Sequence, residues 1–85
     1  MTDNFTAGEL AQQYDEFTIK TVLDTIRSRK TLGASAYEIH LMVMPEVKQR
    51  FNGIQYSRET LDNDLYRLLQ EGKLALFAGR YTIRS

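Results

Sequence analysis

Few side chains in this chain are of a type that does chemistry. His40 is the only histidine and there is no cysteine, so no set of ligands stands at the spacing a zinc or transition-metal site needs. One histidine without a partnered nucleophile supplies no Ser-His-Asp arrangement either. The glycines at 8, 33, 53, 72 and 79 are scattered, so no glycine-rich loop cradles a phosphate. These patterns argue against an enzyme, a metal site and a cofactor, and they indicate no small-molecule ligand. What remains is a polar set near the C-terminus: Ser57, Arg58, Thr60, Asn63, Arg67, Lys73, Arg80 and Arg84. An asparagine can bond an adenine edge bidentately, and an arginine can reach guanine or a phosphate. Hydroxyls and a cation grouped at a helix start suit a phosphate, because free amides and the helix dipole attract anions there. The chemistry on offer is recognition, not bond-making.

The elements that must hold these residues are marked by caps and stripes. Ser57 is a good N-cap, and Leu61, Leu65, Leu68 and Leu69 recur at i, i+4, i+7 and i+8, the single apolar stripe of a helix over 58–71. That stripe turns Glu59, Asn63, Tyr66, Arg67 and Gln70 outward, with Thr60 beside them. Gly72 ends the helix, and residues 73–77 and 80–83 read as a hairpin around Ala78-Gly79. Pairing Phe77 with Arg80 sets Leu76 opposite Tyr81 and Leu74 opposite Ile83 on one face, leaving Ala75, Phe77, Arg80 and Thr82 on the other.

Upstream, Thr6-Ala7-Gly8-Glu9 and Ser35-Ala36-Tyr37-Glu38 both match the capping box. The first predicts a short helix over about 7–14, weakened by Gly8. Phe17, Ile19, Val22, Leu23 and Ile26 predict a second over 15–30. The Ser35 box opens a third at about 36, which Pro45 is expected to end before a short turn over 46–51. Met42, Met44, Tyr37, Tyr56 and Tyr81 are expected to be core or half-buried anchors.

The chain has 85 residues, of which 26% are charged, with a net charge of zero. That length fits one domain with a modest core. Residues 1–16 hold Asp3, Glu9, Asp15 and Glu16 and no base, a net of −4; the remaining residues hold all eleven Lys and Arg against seven acids, a net of +4. The division is therefore an acidic N-terminal segment, 1–16, and a mildly basic domain, 17–85. The absence of cysteine fits a reducing cytoplasm. No apolar run approaches membrane length, and Met1-Thr2-Asp3-Asn4 has neither the basic nor the apolar region of a secretory signal.

The order helix, helix, helix, hairpin resembles the winged helix-turn-helix domains of bacterial and archaeal transcription regulators. Ser57-Arg58-Glu59-Thr60-Leu61, then Leu65, Leu68-Leu69, Glu71-Gly72-Lys73-Leu74 and Tyr81-Thr82-Ile83 carry the resemblance, which covers about residues 17–85. It implies an α+β, mainly α fold: a three-helix core and a C-terminal β-hairpin wing, here with a short extra N-terminal helix. By the same resemblance 58–71 is the recognition helix, Leu74–Ile83 the wing, and a short strand near Leu32–Ala34 pairs with the hairpin. Arg80 would touch backbone or minor groove, as wing residues do in such domains.

The expected function is a cytoplasmic, DNA-binding transcriptional regulator. Its expected partner is double-stranded DNA, contacted by Ser57, Arg58, Thr60, Asn63, Arg67, Lys73 and Arg80. A homodimer is expected, because two half-sites raise affinity and specificity; Phe5, Leu10, Tyr14 and Phe17 are its expected apolar contacts. Other readings stay open. Any surface helix shows a polar outer face, Glu59, Asp62 and Asp64 would repel phosphates, and a two-residue turn makes a stubby wing. A winged-helix protein-interaction or assembly module would fit these features. The acidic N-terminal segment could also fold over the basic face and restrain it.

Overall fold

The computed structural model describes residues 7–84. Three helices precede one hairpin: α1 Ala7–Ser28, a 3-10 turn Lys30–Leu32, α2 Ala36–Arg50, α3 Arg58–Gln70, β1 Leu74–Phe77 and β2 Arg80–Ile83. The fold is mainly helical, with one small antiparallel sheet. No described helix is long and apolar enough to cross a membrane.

The first two expected helices are one. α1 runs unbroken for 22 residues, about 33 Å at 1.5 Å per residue. No glycine or proline lies between Gly8 and the helix end. Thr18 and Thr21 satisfy their hydroxyls by donating to the Asp15 and Phe17 carbonyls, at 3.0 and 2.7 Å. The Thr6 of the expected first capping box lies outside the described residues.

The Ser35 box forms as expected: Glu38 N donates to Ser35 Oγ at 3.2 Å, and Ser35 N donates to Glu38 Oε1 at 3.0 Å. Pro45 does not end α2, contrary to expectation. A proline inside a helix costs about 3 kcal/mol. Continuing the helix past it buries Val47 in line with Ile39 and Val43 and brings Phe51 into the core, and each fully buried apolar side chain returns about 1.5–3 kcal/mol. Leu41 and Pro45 are both exposed, so the carbonyl that Pro45 leaves unpaired is on the wet side. The buried face of α2 is thus Ile39, Val43 and Val47. Tyr37, expected to be a buried or half-buried anchor, is 64% exposed, and Met42, expected in the core, is 43% exposed.

Ser57 caps α3 by accepting from Thr60 N at 3.1 Å. Leu61, Leu65 and Leu68 are buried and Leu69 is half-buried, as the stripe predicts. The hairpin adopts the expected register in full, Leu74 to Ile83 and Phe77 to Arg80. Ala78 and Gly79 both have positive φ, 53° and 77°, as a tight turn matched to strand twist requires. Ala34 joins the outer edge of β2, exchanging both backbone hydrogen bonds with Tyr81 at 3.0 and 2.8 Å. Gly33 permits that approach: a Cβ there would lie 2.6 Å from the Tyr81 carbonyl oxygen. The core joins Val22 and Ile26 of α1 to the buried faces of α2 and α3 and to Tyr56 and Leu74.

Candidate nucleic-acid interface

Below the surface, α3 is fixed by a polar anchor. Tyr56, immediately before its cap and fully buried, donates its hydroxyl to Asp64 at 2.8 Å. Burial pushes the Asp64 carboxyl above the usual carboxylate range, with the Tyr56 hydrogen bond opposing it. Burial also raises the Tyr56 phenol, and the Asp64 charge adds to that. On the other side of Tyr56, His40 Nε2 lies 2.9 Å from its carbonyl. A carbonyl only accepts, so that nitrogen carries the proton. The α2–α3 connection is therefore tied to both helices. Asp64, expected to repel phosphates, is buried instead.

Above the surface, α3 presents Glu59, Asn63, Tyr66 and Gln70, all exposed and without a side-chain hydrogen bond among the described residues. The Ser57 and Thr60 hydroxyls lie 2.9 Å apart at its first turn, and Arg58 Nε donates to Asp62 at 3.0 Å. Arg67 sits on the flank toward α1. It donates to Asp15 at 2.7 Å and to Glu71 at 3.2 Å. The Asp15 hydrogen bond, followed by that to Glu71, holds its guanidinium more firmly charged than usual. Lys73, just past the helix, lies 3.5 Å from the same Glu71, whose carboxyl is drawn below its usual range chiefly by Arg67.

Arg80 does not reach out from the hairpin. Its guanidinium folds back over the 3-10 turn and donates to the carbonyls of Leu32 and Gly33 at 3.0 and 3.2 Å and to Glu38 at 3.2 Å. Glu38 also pairs with Arg29 at 3.0 Å. Its capping bond to Ser35, then the two arginines, holds its carboxyl below the usual range. One carboxylate thus joins α2, the end of α1 and β2.

Of the seven predicted contacts, Ser57, Arg58, Thr60, Asn63 and Arg67 share α3 and its cap. Lys73 follows directly, and Arg80 points elsewhere. Arg58, Arg67, Lys73 and Arg80 each meet a carboxylate, so they form no unneutralised cluster. The pairs Arg58–Asp62 and Arg67–Glu71 were legible from their i,i+4 spacing. The long-range partners Asp15 and Glu38 carried no local signal.

Comparison with protein families, characterised proteins and solved structures returns no match.

Proposed function

We propose that this chain is a small DNA-binding protein of winged-helix type, a transcriptional regulator that reads duplex DNA with α3 and uses the hairpin as its wing. The observation that carries this reading is the outer face of α3. Asn63, Tyr66 and Gln70 stand exposed and uncommitted above a buried leucine stripe, and a helix with its side chains fits the major groove. Asn63 and Arg67 would read base edges, while Ser57, Arg58, Thr60 and Lys73 would meet phosphates. The one-residue pairing of Ala34 with β2 supports the winged-helix reading.

The ion pairs temper this reading without defeating it. Arg58 and Arg67 are half exposed in their pairs, and such surface pairs are worth about 0–1 kcal/mol each. A phosphate can displace the carboxylate at that cost. Arg80 is held by three acceptors and serves as a brace. Two cations, Arg58 and Lys73, then remain for the backbone, and log affinity should fall against log salt with a slope of about −2. Fluorescence anisotropy with labelled duplexes at several salt concentrations measures it. Absence of binding to any duplex at about 50 mM salt would overturn the proposal.

A second reading is a winged-helix protein-interaction or assembly module without direct DNA contact. The neutralised cations favour it, as do Phe77 and Leu76, which stand 85% and 48% exposed on the hairpin. The same titration separates the two.

A further inference from the structure

The outward face of α2 carries a second apolar row. Tyr37, Leu41, Met44 and Lys48 follow at intervals of four, three and four residues, which aligns them along one side of the helix. Tyr37 is 64% and Leu41 49% exposed, Met44 is half-buried and Lys48 is exposed. The opposite side of α2 is already spent on the core through Ile39, Val43 and Val47. A shallow groove lined by Met44, Pro45, Ile54 and Tyr56 widens the row at its C-terminal end. Lys48 is the only charged residue in that groove, and it makes no ion pair among the described residues. Scattered exposed apolar residues are ordinary; a contiguous row with a polar edge marks an interaction surface.

The spacing four, three, four is the same read from either end. An identical helix laid antiparallel across a two-fold axis therefore matches it residue for residue. Tyr37 meets the partner's Lys48, Leu41 meets the partner's Met44, and the reciprocal contacts complete the row. Each end gains an ammonium over an aromatic face, and the two helix dipoles oppose. A parallel arrangement would set lysine against lysine and align the dipoles. An unrelated peptide would need to supply both ring and cation, whereas a second copy already has them.

We infer that α2 is the contact between two copies of this chain, packed antiparallel along Tyr37, Leu41, Met44 and Lys48. This does not rest on the DNA reading. It is a different contact from the one the sequence suggested: Tyr14 and Phe17 pack edge-on against Phe51, Leu10 is 47% exposed, and Phe5 lies outside the described residues.

The absence of cysteine makes the test clean. Leu41→Cys and Met44→Cys proteins are oxidised separately and as an equal mixture. The mixture should form cross-linked dimer several-fold faster than either protein alone, because 41 faces 44 across the axis. In sedimentation equilibrium the full chain should show a dimer, and Leu41→Glu should weaken it at least about tenfold by burying an unpaired charge. Far-ultraviolet circular dichroism should be unchanged, since Leu41 is half exposed. A wild-type chain that stays monomeric through the micromolar range overturns the inference. So does a dimer that Leu41→Glu leaves intact, or equal cross-linking in all three samples. Duplex binding is measured separately, and its absence would count against the DNA reading while leaving the α2 contact standing.

Discussion

The Arg67 guanidinium donates to the Asp15 carboxylate at 2.7 Å across 52 residues of sequence. Arg67 is one of the two residues proposed to read base edges, and Asp15 belongs to the acidic first half of α1. The acidic segment therefore does reach the candidate DNA face, through one carboxylate, and Glu71 holds the same guanidinium from within α3. On the proposed function, a duplex would have to compete with both acids for Arg67.

Asp15→Asn should strengthen duplex binding by about 0–1 kcal/mol, the range of an exposed ion pair. Arg67→Ala should weaken it by about 1–3 kcal/mol. Both side chains are about half exposed, so the melting temperature should move little in either variant. Anisotropy titrations and thermal melts on the same samples provide the check. Loss of folding in Arg67→Ala would make the residue a structural tie between α1 and α3.

Arg80 makes a contrasting case. With three acceptors on two neighbouring elements, Arg80→Ala should destabilise the fold by about 1–3 kcal/mol, since the part-buried Gly33 carbonyl and Glu38 carboxylate lose a charged donor. The salt slope of duplex binding should stay where it was. A slope reduced by about one unit would instead return Arg80 to the phosphate backbone.

Gly33 should tolerate no side chain. Its φ is +72°, and an added Cβ would meet the Tyr81 carbonyl oxygen at 2.6 Å. Gly33→Ala should cost about 1–3 kcal/mol for the backbone conformation alone, before the clash. Hydrogen exchange should localise the damage to the amides of Ala34 and Tyr81, which are bonded to each other's carbonyls. Uniform weakening of the whole chain would place the strain elsewhere.

Elements whose causes are local were legible in the sequence. The Ser35 box, the Ser57 cap, the leucine stripe of α3 and the hairpin register each depend on residues within one or two turns, and all formed as expected. The errors arose where distant packing outweighed a local preference. Pro45 is carried through α2 because Val47 and Phe51 are drawn into the core. Gly8 was read as weakening a short first helix, and the boundary expected after residue 14 does not occur, since α1 runs through it. The site was partly legible: the outward face of α3 follows from its stripe, but the orientations of Arg67 and Arg80 are set by Asp15 and Glu38, 52 and 42 residues away. Asp64 was expected to repel phosphates, and its burial was not foreseen because its partner, Tyr56, lies outside α3.

That burial has a pH signature. Burial raises the Asp64 carboxyl in the folded state, above the unfolded value of about 3.9. In the window between those two values the folded chain holds a proton that the unfolded chain has released, so this group makes stability fall as pH rises. Glu38 and Glu71 act in the opposite sense. Their folded values are lowered, so their contribution is present above the unfolded glutamate value of about 4.3 and is lost as pH falls through the folded ones. Asp64→Asn keeps an acceptor for the Tyr56 hydroxyl and removes only the first effect. Urea unfolding of both proteins from neutral pH down to about pH 4 should show the stability difference changing in favour of wild type as Asp64 takes up its proton. A difference that is constant with pH would mean that Asp64 titrates normally and that its burial beside Tyr56 does not govern its charge.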